Sequence, residues 1–539
     1  MTTIANLLLA RAEDDAPAVL FGDLRWSYRR FVAEARRRAA LLASLHRPGR
    51  PPHIGLLLDN VPDYLFWLGA AALSRAVIVG INSTYRGAQL RQLIEHTDCG
   101  LLVTSSGYSP LLDAAENPVP KQRVLAIDDP GYEQRLREVP PGAQIGEDAR
   151  EDDLLLLIFT SGSTGMPKAV RCTQGRLART GAHVANVAAL ERGRDVTYAP
   201  LPFFHSSAIF TGWASAISIG IPLATRAKFS ASGFLPDVRR FGITFLSYTG
   251  KLLNYVLATP PRPDDADNPL RLALGNEASV GDIKDFAQRF SCRVQDSYGS
   301  TEGLIIIRRD ASMPAAALGK AADSVKVMNP ETGEACPRAV FNADGKVINL
   351  EQAVGEIVET VPSSGFEGYY KNEEATQARF RGGWFWSGDL AYRDADGWFW
   401  FAGRSNEWLR VDSENFAAAP VEAILARHPQ VRSVAVYAVP DERVGDRVMA
   451  ALELRDGAAF DAAAFDAFLR TQPDLGPKWI PSFVRISAEL PKLASMKLDK
   501  QRLRREAWRV DTVAWRPGKG EGLRALTEAD RKRLDPLLG

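Results

Sequence analysis

The sequence predicts an α/β fold. A large N-terminal part is built of α/β layers, with a β-rich subdomain at about residues 315–404, and a smaller α/β unit follows at 405–539. Three observations carry this expectation. Short aliphatic runs alternate with amphipathic stretches through the N-terminal half; tryptophan-rich runs then flank a turn; and alternation resumes beyond Arg404. At 539 residues the chain is too long for one core.

In order, His53 to Leu58 reads as an aliphatic strand. Asp59-Asn60-Val61-Pro62 reads as a helix start, with capping side chains and an early proline. Tyr64 to Leu73 continues as helix, Ala76 to Ile81 as strand, Tyr85 to His96 as helix and Gly100 to Thr104 as strand. This order argues for a parallel, doubly wound sheet. Arg123 to Ile127 adds a strand, and the acidic Asp128 to Asp153 reads as surface loop with some helix. Leu154 to Ile158 is strand-like, Gly175 to Leu190 has helical spacing, and Thr197 to Leu201, Ile243 to Tyr248 and Leu270 to Leu274 read as short strands. Thr259 to Pro269, with four prolines among its eleven residues, reads as a rigid, exposed loop. Trp384-Phe385-Trp386 and Trp398-Phe399-Trp400-Phe401 flank Asp394-Ala395-Asp396-Gly397, a hairpin signal. Beyond Arg404 come a helix at Pro420 to Arg427, strands at Val434 to Val439 and Val448 to Glu453, and a helix near Phe460 to Thr471. The segment from Trp515 reads as surface tail or helix.

A formal net charge of +1 gives no electrostatic case for nucleic acid or a charged membrane surface. Cys99, Cys172, Cys292 and Cys336 lie far apart without metal-ligand spacing, as buried thiols in a reducing compartment would. The apolar run near Met1 has no basic region before it, unlike a secretory signal. Tyr64 to Ile81, the most apolar window, is interrupted by Arg75 and falls short of a membrane span. The expectation is a cytoplasmic chain with no stable membrane insertion.

Phe159-Thr160-Ser161-Gly162-Ser163-Thr164-Gly165-Met166-Pro167-Lys168 follows the aliphatic run. Glycines permit close backbone approach, hydroxyls and N–H groups donate to phosphate oxygens, and Lys168 adds a point charge. Pro167 before Lys168 departs from the usual P-loop ending. On these residues alone, a polyphosphate cradle and a solvated Gly/Ser turn both fit.

This string resembles the phosphate-binding loop of the adenylate-forming superfamily, which includes acyl-CoA synthetases, adenylation domains of peptide synthetases and luciferases. Asp296-Ser297-Tyr298-Gly299-Ser300-Thr301-Glu302 matches its second nucleotide motif. An aromatic face can stack on adenine, a glycine allows close approach, a hydroxyl meets phosphate, and Glu302 is a hard oxygen ligand for Mg²⁺. Leu274-Gly275-Asn276-Glu277 resembles the segment beside adenine, and Ser387-Gly388-Asp389-Leu390 the ribose motif, where Asp389 would accept from both hydroxyls. Gly403-Arg404 resembles the start of the hinge, with Arg404 reaching ribose or phosphate. Leu490-Pro491-Lys492-Leu493-Ala494-Ser495-Met496-Lys497 aligns with the catalytic-lysine motif, which implies that Lys497 bridges the attacking carboxylate and the α-phosphate. His205 is either a residue at the junction of acyl and nucleotide pockets or a satisfied core histidine.

The resemblance runs from about residue 20 to 505. Leu493 and Met496 stand where threonine and glycine are usual, and the bulky residue before Lys497 is similar to the very-long-chain acyl-CoA synthetase (fatty acid transport protein) branch. Ile81 to Gly87 and Leu201 to Ser206 resemble that branch too, and the closest likeness is to actinobacterial sterol- and fatty-acid-activating synthetases. The resemblance implies ATP, Mg²⁺ and CoA acting on a hydrophobic carboxylic acid. The acyl pocket would lie between His205 and Phe245 to Tyr255, where Gly212 and Gly250 leave space. Residues 1–404 would form the adenylation domain and 405–539 a mobile C-terminal domain rotating about Asn406, on a scaffold that commonly forms homodimers. Ser413 replaces a glycine that passes close to CoA, which leaves a second reading: adenylation alone, with thioester formation left to a partner. A third is a catalytically silent nucleotide-binding protein, which intact Thr301, Glu302, Asp389 and Lys497 oppose.

Overall fold

The computed structural model describes residues 2–45, 52–139, 148–160, 168–249, 252–276, 278, 280–309, 313–314, 317–343, 347–361, 365–404, 408–411, 414–441, 445–472, 475–476, 478–493, 498–510, 512–518 and 521–538. They form two compact units, Met1–Ile306 with Pro362–Ala378, and Ile307–Val361 with Arg379–Gly539.

The first unit holds two sheets. One runs Val124–Ala126, Leu101–Thr104, His53–Leu57, Val77–Gly80, Leu154–Thr160, Lys168–Thr173, parallel except for the antiparallel last pair. Its central strands are buried on both faces. That is why they read as unbroken aliphatic runs rather than alternating ones. In the other sheet Arg293–Gly299, Leu272–Asn276, Phe245–Thr249, Thr197–Tyr198, Leu223–Thr225, Pro17–Phe21 and Leu24–Ser27 lie side by side, the last pair antiparallel. Trp67, Trp213, Tyr28, Tyr64, Tyr198, Tyr248 and Phe203 are fully buried in this unit. Each large apolar side chain so buried contributes about 1.5–3 kcal/mol before entropy is subtracted.

The apolar window resolves into the helix Pro62–Ser74 and the strand Val77–Gly80. Arg75, in the left-handed region at φ 54°, ends the helix and pairs with Asp153 at 2.8 Å. No helix among the described residues is long and apolar enough to cross a membrane.

Three local expectations are corrected. Asp59 and Asn60 do not cap the helix, whose N-cap is Val61 without a side-chain bond. Asn60 instead donates to Leu201 O at 2.6 Å and accepts from Phe203 N at 3.0 Å, while Asp59 accepts from the Tyr108 hydroxyl. Buried backbone groups of the turn before His205 outcompeted the cap. The proline-rich loop is not wholly exposed, since Asp265 is buried and takes the Arg289 Nε at 2.6 Å. The segment from Trp515 holds the expected helix but is not all surface. Strand Val513–Trp515 joins a sheet, Glu528–Leu534 is a helix with a Thr527–Asp530 capping box, and Trp508 and Trp515 stack on Phe483.

In the second unit, Trp384–Arg393 is flanked by Gly355–Glu359, Phe380–Arg381 and Phe399–Arg404, all antiparallel, and Val325–Met328 pairs with Gly355–Glu359. The tryptophan hairpin is present: buried Asp394 accepts from Trp398 N at 2.8 Å and Trp400 Nε1 at 2.9 Å. Further along, Val431–Asp441 and Gly445–Leu454 form an antiparallel pair, and Phe483–Ser487 lies parallel to the latter. The helix Ala462–Thr471 precedes it, capped by Asp461, which accepts from Ala463 N and Ala464 N. This layering is the expected α/β class.

Candidate functional site

The strands Leu154–Thr160 and Lys168–Thr173 form a hairpin in which Thr160 stands opposite Lys168. The connecting Ser161, Gly162, Ser163, Thr164 and Gly165 of the phosphate loop lie outside the described residues. Lys168 starts the outgoing strand, with its Nζ 5.3 Å from the centre of the Tyr369 ring. Tyr369 reaches this place because the returning segment docks on the same strand. Arg171 N donates to Gly368 O at 3.0 Å, Tyr370 N to Ala169 O at 2.8 Å, and Thr173 donates through both N and Oγ1 to Glu367.

The Tyr369 hydroxyl donates to Glu302 Oε1 at 2.7 Å. Glu302 is buried, and Thr301 beside it shares a 3.1 Å hydrogen bond with Ser206. Ser206 follows His205, whose N donates to Pro202 O at 3.0 Å and whose ring lies 4.5 Å from that of Phe204. The π-helix Ala208–Ala214 begins just after it. A lysine, a carboxylate and the hydroxyls of Tyr369, Thr301 and Ser206 thus gather from four separate stretches of chain.

Gly275 and Asn276 end the strand Leu272–Asn276, with Tyr248 and Thr249 in register on one side and Asp296 opposite Gly275 on the other. A Cβ on Gly275 would lie 2.2 Å from Tyr248 O, so only glycine fits there. Asp296, Ser297, Tyr298 and Gly299 belong to the strand Arg293–Gly299. Asp296 is turned inward and takes the Tyr248 hydroxyl at 2.8 Å and Ala278 N at 3.1 Å, while Ser297 Oγ lies 3.4 Å from Gly275 O. Glu277 is outside the described residues.

In the second unit, Asp389 and Arg404 are register partners across an antiparallel pair. The Ser387-Gly388-Asp389 bend is fixed by Gly388 N donating to Glu356 Oε1 at 2.6 Å and Asp389 N to Ser387 Oγ at 3.0 Å. Burial pushes the Glu356 carboxyl up, against the pull of Gly388 N and the nearby arginines. Lys497, Asn406 and Ser413 lie outside the described residues, although Lys492 and Leu498, on either side of Lys497 in sequence, are bridge partners. Burial raises all four thiols, Cys99, Cys172 and Cys292 to about 12 and Cys336 to about 11. None is poised as a thiolate nucleophile near neutral pH.

Residues 9–370 match the family model of AMP-binding enzymes, and 420–497 the AMP-binding enzyme C-terminal domain. The chain belongs to the AMP-binding enzyme family. It is 45% identical over 520 residues to the steroid-22-oyl-CoA synthetase of Rhodococcus jostii, covering 96% of this chain and 93% of that one. It is also 45% identical over 513 residues to the medium/long-chain-fatty-acid–CoA ligase FadD17 of Mycobacterium tuberculosis, covering 95% and 98%. The likeness to actinobacterial sterol and fatty acyl-CoA synthetases is thereby borne out. ATP-bound MatB from Rhodopseudomonas palustris superposes with a TM-score of 0.79 over 93% of this chain and 98% of its own, at 22% identity. That match shows the adenylate-forming fold, a large N-terminal α/β domain and a smaller C-terminal one.

The two relatives at 45% identity are named as a CoA synthetase and a CoA ligase, and the MatB structure holds ATP. Among this chain's candidate residues, the first unit gathers Thr160 with Lys168, Thr301 with Glu302, and Gly275 with Asp296, while the second pairs Asp389 with Arg404. Sequence reasoning missed Tyr369. Its only sequence signal is the Gly368-Tyr369-Tyr370 string, which by itself reads as a turn followed by core aromatics.

Proposed function

We propose that the protein is an ATP-dependent acyl-CoA synthetase that activates a hydrophobic carboxylic acid, long-chain, sterol-like or polycyclic, in the cytoplasm. The convergence of Lys168, Tyr369, Glu302 and Thr301 carries the nucleotide half of this reading. The two relatives at 45% identity, named for a steroid acid and for medium- and long-chain fatty acids, support the choice of acid.

The reaction runs in two steps. The acid's carboxylate attacks the α-phosphorus of ATP, pyrophosphate leaves, and acyl-AMP forms. The CoA thiol then attacks the acyl carbon, AMP leaves with the bonding pair, and the thiol proton is released. Lys168 and the phosphate loop offset charge on the β- and γ-phosphates, and Thr301 offers a hydroxyl to the same group. Mg²⁺ supplies neutralisation of the phosphate charge when bound. The residues fit it: Glu302 provides a hard oxygen held in place by Tyr369, with the hydroxyls of Thr301 and Ser206 adjacent. Among the described residues no group of three His, Cys, Asp or Glu side chains could cage a metal alone. That suits an ion held by one carboxylate and the nucleotide's own phosphates. Asp389 would hold the ribose and Tyr298 stack on adenine. Lys497 would bridge carboxylate and α-phosphate, and its withdrawal by rotation about Asn406 would admit CoA. His205 would stand where the acyl and nucleotide pockets meet.

The deciding experiment is mass-spectrometric product analysis with ATP, Mg²⁺ and a panel of fatty, sterol-side-chain and diterpenoid acids, with and without CoA. Acyl-CoA is the expected product when CoA is present. Acyl-AMP accumulating in the presence of CoA would overturn the second step and leave Ser413 as the residue to revert.

A further inference from the structure

Arg176 stands in the first turn of the helix Gln174–Val187 and is 6% exposed. Among the described residues its guanidinium meets backbone carbonyls and no carboxylate. Nη1 donates to Arg171 O at 2.7 Å, and Nη2 donates both to Thr301 O and, at 3.0 Å, to Glu302 O. Its Cζ lies 5.7 Å from the centre of the Phe210 ring, on the π-helix that follows His205 and Ser206. Gly303, at φ 76°, closes the fit: a Cβ there would approach Nη2 to 3.0 Å.

A buried cation is costly unless its donors are taken up and its charge is answered. Here the planar fork is taken up by carbonyls from two stretches of chain. The guanidinium pairs directly with no carboxylate among the described residues and lies against the backbone of the Thr301–Glu302 turn. Through one side chain the strand leaving the phosphate loop, that turn and the π-helix become a single unit.

We propose that Arg176 is a positioning residue for the nucleotide's phosphates. It fixes the Thr301–Glu302 turn, links it to the π-helix, and supplies the positive background that an anionic substrate answers. The inference rests on the synthetase reading above and adds to it a residue outside the motifs.

The test is Arg176→Met, with Arg176→Lys to keep the charge while losing the fork, and to cover the case in which the methionine variant does not fold. Two half-reactions are measured: pyrophosphate release from MgATP and acid, and conversion of supplied acyl-AMP and CoA to acyl-CoA. MgATP binding is followed by calorimetry. Arg176→Met should lower kcat/KM for MgATP by about 10–100-fold and weaken MgATP binding in parallel, as loss of hydrogen bonds from a charged donor implies. The lysine variant should fall between it and the wild type. The step from acyl-AMP should change by less than about twofold, because it involves no pyrophosphate. Equal losses in both half-reactions, or unchanged MgATP affinity, would overturn the proposal. If the wild type released no pyrophosphate with any acid, the synthetase reading would fail on its own, and calorimetry would still judge Arg176.

Discussion

Tyr369 and Glu302, 67 residues apart in sequence, share a 2.7 Å hydrogen bond in which the phenol donates to the carboxylate. The opposite side of this arrangement is Lys168, whose ammonium lies 5.3 Å from the Tyr369 ring centre. One tyrosine therefore orients the proposed metal-binding carboxylate and steadies the lysine that follows the phosphate loop.

Tyr369→Phe keeps the ring under Lys168 and removes only the donor to Glu302. The buried carboxylate then loses a partner worth about 1–3 kcal/mol. The expected outcome is a weaker response to Mg²⁺ and a higher KM for MgATP in a pyrophosphate-release assay, with the step from supplied acyl-AMP unaltered. An unchanged Mg²⁺ dependence would show that Tyr369 does not orient Glu302.

Lys497→Ala separates the half-reactions in another way. If Lys497 bridges carboxylate and α-phosphate, its loss should reduce acyl-AMP formation by about a hundredfold or more, the scale of removing one transition-state charge partner. Thioester formation from supplied acyl-AMP should persist. Undiminished pyrophosphate release would move the catalytic cation elsewhere.

Asp394→Ala probes the tryptophan hairpin. Its carboxylate takes the backbone N–H of Trp398 and the indole N–H of Trp400, and both donors would lose it. The expected cost is about 2–4 kcal/mol. Thermal unfolding followed by tryptophan fluorescence should show a lowered midpoint; an unmoved one would mean that water replaces the carboxylate freely.

Asp195 gives a pH dependence with a definite sign. Burial alone would raise its carboxyl, but hydrogen bonds from Arg271, Arg194 and Thr244 outweigh that and hold it well below the usual carboxylate range. With the folded value below the unfolded one, its contribution is fully present above about pH 4 and is lost as pH falls toward the folded value. Asp195→Asn should therefore flatten the acid side of a melting-temperature-against-pH curve as well as lower its plateau. A parallel downward shift with the same acid slope would contradict this.

Much of the first unit was legible because its signals are local. Aliphatic runs buried on both faces mark the strands of the phosphate-loop sheet, and the sheet pairs them as their order suggests. The Asp394 hairpin was equally plain, since its tryptophan runs face each other across a short turn. Asn60 was misread because a capping signal and a tertiary tether look alike in sequence. Its amide serves Leu201 and Phe203, more than a hundred residues away. The last segment hid its packing for a similar reason, as Trp508 and Trp515 find their partner in Phe483 on a different strand.

By itself, the sequence determined the family, the α/β class and the order of the nucleotide motifs, because glycines, hydroxyls and charges at fixed spacing are local chemical requirements. Only the tertiary structure decided which of those groups meet. That Glu302 is held by Tyr369, that Thr301 touches Ser206, and that Arg176 reaches beneath both depends on distant segments docking against the strand Lys168–Thr173. Such docking is driven by burial and backbone hydrogen bonding between elements, which leave no periodic trace along the chain.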